Sequence, residues 1–330
     1  MVSKSKKILY ASIGSNLRTE RFMAYIEGGP VKGTHRIYQG CRDTTPPSCK
    51  VVLASHIHHV YFARATEIWG EMPYNEVGSG NYGGLGTVGF KRLEEGFEFD
   101  GLRSVDIKHE SLCGLIDKGE MLSAGYPISL EQFSDVMCQE NGFDAGNIDL
   151  PEELIESLNL DNPMIDLRGR TGNDALILSS GEKYEIDITG HYTALIYLGE
   201  VEVEGEKLRT ICFSSPFSYE MALVQSELGK PIFDVEDRVT AMDELAILKV
   251  RLPEDLFTQP TDGEHFLNPA TYAYLKMIAS GVKELGEGNL DWTDENSYKY
   301  LLSLAPFSLE QFSEQTKLVR KALDEDVDLI

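Results

Sequence analysis

Apolar positions along the chain change their period several times, and each change marks an element. Residues 7–13 (KILYASI) form a compact apolar run, Gly14-Ser15-Asn16 interrupts it, and Leu17, Phe22, Tyr25 and Ile26 then recur at helical spacing up to Gly28-Gly29-Pro30. That order predicts strand, tight loop, helix and stop. Residues 40–49 (GCRDTTPPSC) have the Pro and Thr content of a loop, after which VVLASHIHHVYFA resumes a strand pattern. The glycine-dense stretch 78–89 reads as a loop re-entering the sheet. Ser129-x-x-Gln132 is a capping box, in which hydroxyl and amide satisfy orphan backbone donors, and it predicts a helix from there to about Asn141-Gly142. Residues 143–190 carry no clear period. From Tyr192 the alternating ALIYLGEVEVEGEKLRTICF predicts a hairpin turning near Gly205. Helical pieces are expected within 216–262, a helix over about 270–285 with Tyr274, Met277, Ile278, Val282 and Leu285 on one face, and further helices to the end. PISLEQFS at 127–134 recurs as PFSLEQFS at 306–313. The flanks do not match, so the echo is two helix starts with the same capping chemistry rather than a duplicated domain.

Composition bounds the partners. The chain has 330 residues, 42% hydrophobic and 25% charged, enough apolar content for a real core. Thirty Lys and Arg against fifty-four Asp and Glu leave a net charge of −24, which repels phosphate backbones and anionic membrane surfaces. No nucleic-acid or membrane partner is expected. The five cysteines form no C-x-x-C pair and suit free thiols in a reducing cytosol, so a cytoplasmic location is expected. The apolar run at 8–13 is too short for a membrane span.

Most motifs reduce to structure. Gly78-x-Gly80-x-x-Gly83 matches a dinucleotide fingerprint in letters, but the glycines that follow oppose the helix it requires. His56-x-His58-His59 has no acid or histidine cluster near it and fits the polar face of a half-buried strand. Neither a metal nor a cofactor is expected. Arg42-Asp43 is a local ion pair or a site contact. Glu140 is different, because it breaks two local rules. Seven residues after Phe133, it lies on the apolar stripe of Val136 and Met137, and it sits in the last helical turn, where the macrodipole disfavours negative charge. Burial and dipole both raise a carboxyl pKa toward the range useful for proton transfer. The Gly14-Ser15-Asn16 loop, between strand and helix, presents backbone N–H groups suited to a carboxylate or oxyanion, or else a simple helix cap.

Together these features give a resemblance. KILYASIGSNLRTERF resembles the amino-terminal strand and Gly-Ser-Asn loop of the γ-glutamylcyclotransferase-like family, through Tyr10, Gly14, Ser15, Asn16 and Leu17. Ile13 stands where that family has a second tyrosine, and Asn141 separates Gln139-Glu140 from Gly142. The runs YIEGG, GCRDTTPP and VYFA are similar to a bacterial subgroup of the same family, and the helix around Tyr274 to its late helix. The resemblance implies an α+β fold, a small mixed β-barrel, closed or nearly closed, with flanking helices. It implies one elaborated domain over 1–300 with a long insertion around 143–270, followed by a helical extension over 301–330. The implied activity is cyclisation of a γ-glutamyl amide, a small-molecule substrate, to 5-oxoproline with release of an amine. A non-catalytic binding module retaining the pocket is the alternative. Glu140 would be the acid/base, and Tyr10, Ala11, Ser12, Ile13, Gly14, Ser15, Asn16, Leu17 and Tyr274 would bind substrate. Arg42, Asp43 and Trp69 are further candidates for the pocket lining.

Overall fold

The computed structural model describes residues 6–30, 36–71, 82–90, 102–190, 192–215, 270–304 and 317. The chain opens with β1 (Lys7–Ser12), a 3-10 turn (Ser15–Leu17) and α1 (Thr19–Glu27), the order that the amino-terminal pattern predicts. A short ribbon, β2 (Gly29–Pro30) and β3 (Ile37–Tyr38), precedes β4 (Val51–Ser55), the paired β5 (His58–Glu71) and β6 (Tyr82–Phe90), and β7 (Arg103–Ser104). Then come α2 (Leu112–Asp117), β8 (Met121–Ser129), α3 (Leu130–Glu140), α4 (Glu152–Ser157) and β9 (Met164–Asp166). A second ribbon, β10 (Leu176–Ile177) with β11 (Lys183–Tyr184), leads to the hairpin β12 (Ala194–Val203) and β13 (Glu206–Ser214). Two helices follow, α5 (Tyr272–Leu285) and α6 (Asp294–Ser303).

The main sheet has seven strands in the order β7-β4-β8-β1-β13-β12-β9. It is mixed: β1 runs antiparallel to β8 and parallel to β13, with Tyr10 opposite both Tyr126 and Ile211. The sheet curls into a half-barrel with flanking helices, so the fold is mixed α+β, and among the described residues its main-chain ladder ends at β7 and β9. Residues 164–214 lie inside the stretch that the sequence reading treats as an insertion. They nevertheless supply three of the seven strands, and β13 lies directly against β1. The hairpin turns at Glu204-Gly205, both with left-handed backbone (φ 52° and 82°), the two-residue turn whose twist suits its strands.

β1 buries every position after Lys7, because it is covered on both faces. Tyr10 packs on Phe22 and Phe213, Phe133 stacks on Phe213 at 4.4 Å, and Phe22 stacks on Tyr126 at 4.0 Å. These rings join β1, β8, β13, α1 and α3 in one core, and they fix how the end of β1 meets the end of α3. The capping box at Ser129 forms as predicted, with Ser129 Oγ accepting from the Gln132 amide at 3.1 Å and Gln132 Oε1 from the Ser129 amide at 3.0 Å.

Two patterns resolve differently from expectation. Residues 82–90 are a strand instead of a loop: paired with β5, they gain ladder bonds that offset their glycine content. His58 and His59 are buried instead of lying on a polar face, with His58 Nδ1 2.7 Å from Ser55 Oγ. Residues 78–81, the expected helical pieces of 216–262 and the second PFSLEQFS lie outside the described residues. Among the described residues no helix is long and apolar enough to cross a membrane.

Candidate active site

At the end of β1 a small cleft is lined by the chain from Tyr10 to Asn16. Glu140 enters it from the end of α3, Tyr274 from α5, and Phe213, Gly86 and Tyr192 complete the wall. Residues distant in sequence thus meet through the β1–β8 pairing and the α3 helix that follows β8. Leu17 does not reach the cleft. It is buried in the core, and its amide donates to the Gly14 carbonyl at 3.1 Å, so of the expected loop N–H groups that one is engaged. Arg42 and Asp43 do not line it either: Arg42 pairs with Asp135 and Asp149, while Asp43 accepts from the Thr45 amide. The Trp69 side chain lies outside the described residues. The sequence pattern does not single out Gly86, Tyr192 or Phe213, because each sits in an unremarkable strand or strand-entry stretch.

The end of α3 is built to hold Glu140 still. Gly142, with φ +81°, closes the helix: its amide donates to Gln139 O at 3.2 Å and the Phe143 amide to Cys138 O at 2.9 Å. These are the paired bonds of a Schellman cap, which favours glycine at that position. Gln139 accepts from the Gly40 amide at 3.1 Å and donates to Tyr25 O at 3.1 Å, tying the helix end to α1. Asn141 donates to Tyr192 O at 2.8 Å and accepts from Tyr192 N at 2.9 Å, which places the Tyr192 wall. Asn141→Ala is expected to leave both backbone groups unpaired and cost about 1–3 kcal/mol. Chemical denaturation reads the stability, and hydrogen exchange at the Tyr192 amide should quicken more than at β1 amides.

Glu140 is partly exposed as a residue, with its carboxyl turned into the cleft. Its Oε1 accepts from Asn16 Nδ2 at 2.7 Å. Loss of hydration raises its pKa above the ordinary carboxylate value, and this outweighs the opposing pull of the Arg21 charge and of hydrogen bonds from Tyr25 and Asn16. The folded pKa therefore lies above the unfolded one. As pH rises, the unfolded chain loses this proton first, and stability falls between the two values. Measured from pH 4 to 7, the stability difference between Glu140→Gln and the native chain should move steadily in favour of the glutamine. A flat difference would contradict a raised pKa.

Among the described residues, two polar atoms of cleft-lining side chains lack a hydrogen-bond partner. Ser12, 2% exposed, and Asn16, 6% exposed, leave Ser12 Oγ and Asn16 Oδ1 without a hydrogen-bond partner among the described residues. A buried polar group left unpaired costs about 1–3 kcal/mol, so two at one cleft mark a place where a ligand or water completes the bonding. Asn16 is held by its backbone, its carbonyl accepting from Tyr126 Oη at 3.1 Å. Opposite, Tyr274 Oη accepts from the Gly86 amide at 3.1 Å and Tyr192 Oη donates to Gly86 O at 3.2 Å. Burial pushes the Tyr274 phenol up to about 12, so it stays protonated as a neutral donor.

No family model matches the chain, and no solved structure matches it. Among curated proteins it is similar to histone deacetylase 5 of Arabidopsis thaliana, 29% identical over 194 residues. That stretch is 58% of this chain and 22% of the plant protein, so the chain spans less than a quarter of its relative's length. The resemblance to the γ-glutamylcyclotransferase-like family does not stand. Nothing in the comparisons points to that family, and the matched relative carries a different name. The letters that suggest it sit at a strand–turn–helix junction, where Gly, Ser and Asn are selected by turn and cap chemistry in unrelated proteins.

Proposed function

We propose that the cleft is an acid/base site in which Glu140 moves protons while a γ-glutamyl amide closes on itself to 5-oxoproline and releases an amine. The observation that carries this reading is the Glu140 carboxyl, held by Asn16 and facing buried polar atoms that lack partners. The substrate's α-amine is the nucleophile: its nitrogen bonds to the γ-carbonyl carbon, the carbonyl oxygen takes the electron pair, and the original C–N bond then breaks. Glu140 takes one proton from the α-ammonium group, which frees the lone pair for attack, and a second from the bonded nitrogen afterwards; both pass in turn to the departing nitrogen, which leaves as an ammonium, so protons balance within the site. Because the nucleophile belongs to the substrate, the protein needs mainly to hold a folded conformer and supply one carboxyl of raised pKa.

The remaining groups have complementary roles. Asn16 Oδ1 accepts from the α-ammonium group before it is deprotonated. Ser15 and Asn16, first in their 3-10 turn, have amide N–H groups with no intrahelical acceptor, and these take the α-carboxylate. The Ser12 hydroxyl donates to the developing oxyanion. Tyr10, Tyr192 and Tyr274 wall the site as neutral phenols. With a net charge of −24 working against anions at long range, binding rests on these short contacts.

A panel of γ-glutamyl amino acids, γ-glutamyl amines and glutathione tests the reading by 5-oxoproline release. Release from at least one member is expected. Ligand-induced thermal stabilisation with no product would instead make the protein a binding module.

A further inference from the structure

We infer that Arg21 is a positioning residue for Glu140, acting through the Tyr25 hydroxyl as the buried counter-charge of the acid/base. This rests on the assignment of Glu140 just given. Arg21 lies on α1, only 5% exposed, in a sequence position that announces nothing but a polar residue near a helix start. Its Nη2 donates to Tyr25 Oη at 2.9 Å and to Tyr38 Oη at 2.8 Å, and the two hydroxyls are 3.1 Å apart. The guanidinium also lies over both rings, 4.7 and 4.8 Å from their centroids. Its Nε and Nη1 have no partner among the described residues.

A buried cation needs an anion, and the tyrosines supply only dipoles. The carboxylate that acts electrostatically on Arg21 is that of Glu140, and the Tyr25 side chain acts on the same carboxyl. Arg21 donates into both phenol oxygens, so the Tyr25 proton can be shared between Tyr38 Oη, 3.1 Å away, and the Glu140 carboxylate. Tyr25 is fixed from behind as well, its carbonyl accepting from Gln139, the residue before Glu140. Arg21 bonded to Tyr25, Tyr25 O bonded to Gln139 and Glu140 bonded to Asn16 thus link α1, α3 and the 3-10 turn. Among the described residues the groups facing Glu140 are Arg21 and Tyr25 from α1, Arg36 ahead of β3, Tyr10 from β1, Asn16 from the turn, Tyr192 ahead of β12 and Tyr274 from α5. Of these groups only the two arginines are cationic, and Arg21 acts more strongly on the carboxylate than Arg36, so losing Arg21 removes the larger share of that positive charge.

The test reads Glu140 directly and needs no substrate. In the full chain labelled with ¹³C at glutamate side-chain carboxyls, the Glu140 signal is the one missing from Glu140→Gln. In Arg21→Met its titration midpoint is expected to rise by about one pH unit or more, in Tyr25→Phe by less, and Arg21→Lys should restore part of the Arg21→Met shift. Near-UV circular dichroism checks that each variant is folded. Should Arg21→Met not fold, Tyr25→Phe decides, since it keeps the ring and removes only the hydroxyl. A midpoint that does not move in the folded variants overturns the proposal, and a purely structural role for Arg21 gives that outcome. Because the titration is independent of turnover, it separates failure of this inference from failure of the proposed reaction.

Discussion

Glu140→Gln is expected to lower 5-oxoproline release by about 10²–10⁴-fold, the range that a positioned proton carrier supplies. Glutamine keeps the volume of the side chain and an oxygen that can accept from Asn16 Nδ2, now 2.7 Å from Glu140 Oε1, so the cleft should survive the change. KM should therefore move by only a few-fold, and ligand-induced thermal stabilisation should persist. Such a split places the loss in the chemical step, where proton transfer acts, instead of in binding. Release undiminished in Glu140→Gln would remove Glu140 from its assigned role, whatever the fate of the other residues.

Gly14→Ala should have the next largest effect, for a steric reason. A Cβ at Gly14 would lie 2.5 Å from Tyr274 Oη and 3.5 Å from its Cζ. The hydroxyl cannot simply withdraw: Tyr274 is 2% exposed and its oxygen is bonded to the Gly86 amide. Either the tyrosine or the 14–16 loop must shift, and the loop carries Asn16. We expect a stability loss of about 1–3 kcal/mol from overpacking. Displacing Asn16 by even about 1 Å should lower kcat/KM by about 10²-fold. Tyr274→Phe removes the offending oxygen and leaves ring carbon at an ordinary contact distance, at the price of an unpaired Gly86 amide. In the Tyr274→Phe background the penalty of Gly14→Ala should therefore shrink by about 1 kcal/mol, well outside the additivity expected of independent sites. Denaturation of the four proteins of this cycle measures it, and strict additivity would show that the two residues do not touch in solution.

Local chemistry makes some elements readable from the chain alone. The Ser129–Gln132 box and Gly142 announce both ends of α3, because caps use few residue types in fixed positions. The 192–213 alternation announces the last hairpin, since one turn joins its two strands. Glu140 stands out because a carboxylate on an apolar stripe at a helix C-terminus violates two rules together, and the end of α3 does face the cleft. Tertiary pairing is not readable in the same way. Nothing local tells that β13 lies beside β1, and so Phe213 and Tyr192 cannot be placed in the same wall as Tyr10. Arg42 illustrates the converse: beside Asp43 in sequence, it finds its carboxylates 93 and 107 positions away, at Asp135 and Asp149. Arg21 is invisible because an arginine near a helix start is ordinarily solvated. Only the folding of β3 beside α1 encloses it with Tyr25 and Tyr38.

The most direct test of intramolecular cyclisation is to run the reaction in H₂¹⁸O with a γ-glutamyl substrate and quantify 5-oxoproline, glutamate and free amine together by mass spectrometry. The expected result is 5-oxoproline and amine in equal amounts, with no ¹⁸O incorporated, since the substrate's own nitrogen attacks the carbonyl. Glutamate carrying ¹⁸O in place of 5-oxoproline would show that water is the nucleophile, and would contradict the account.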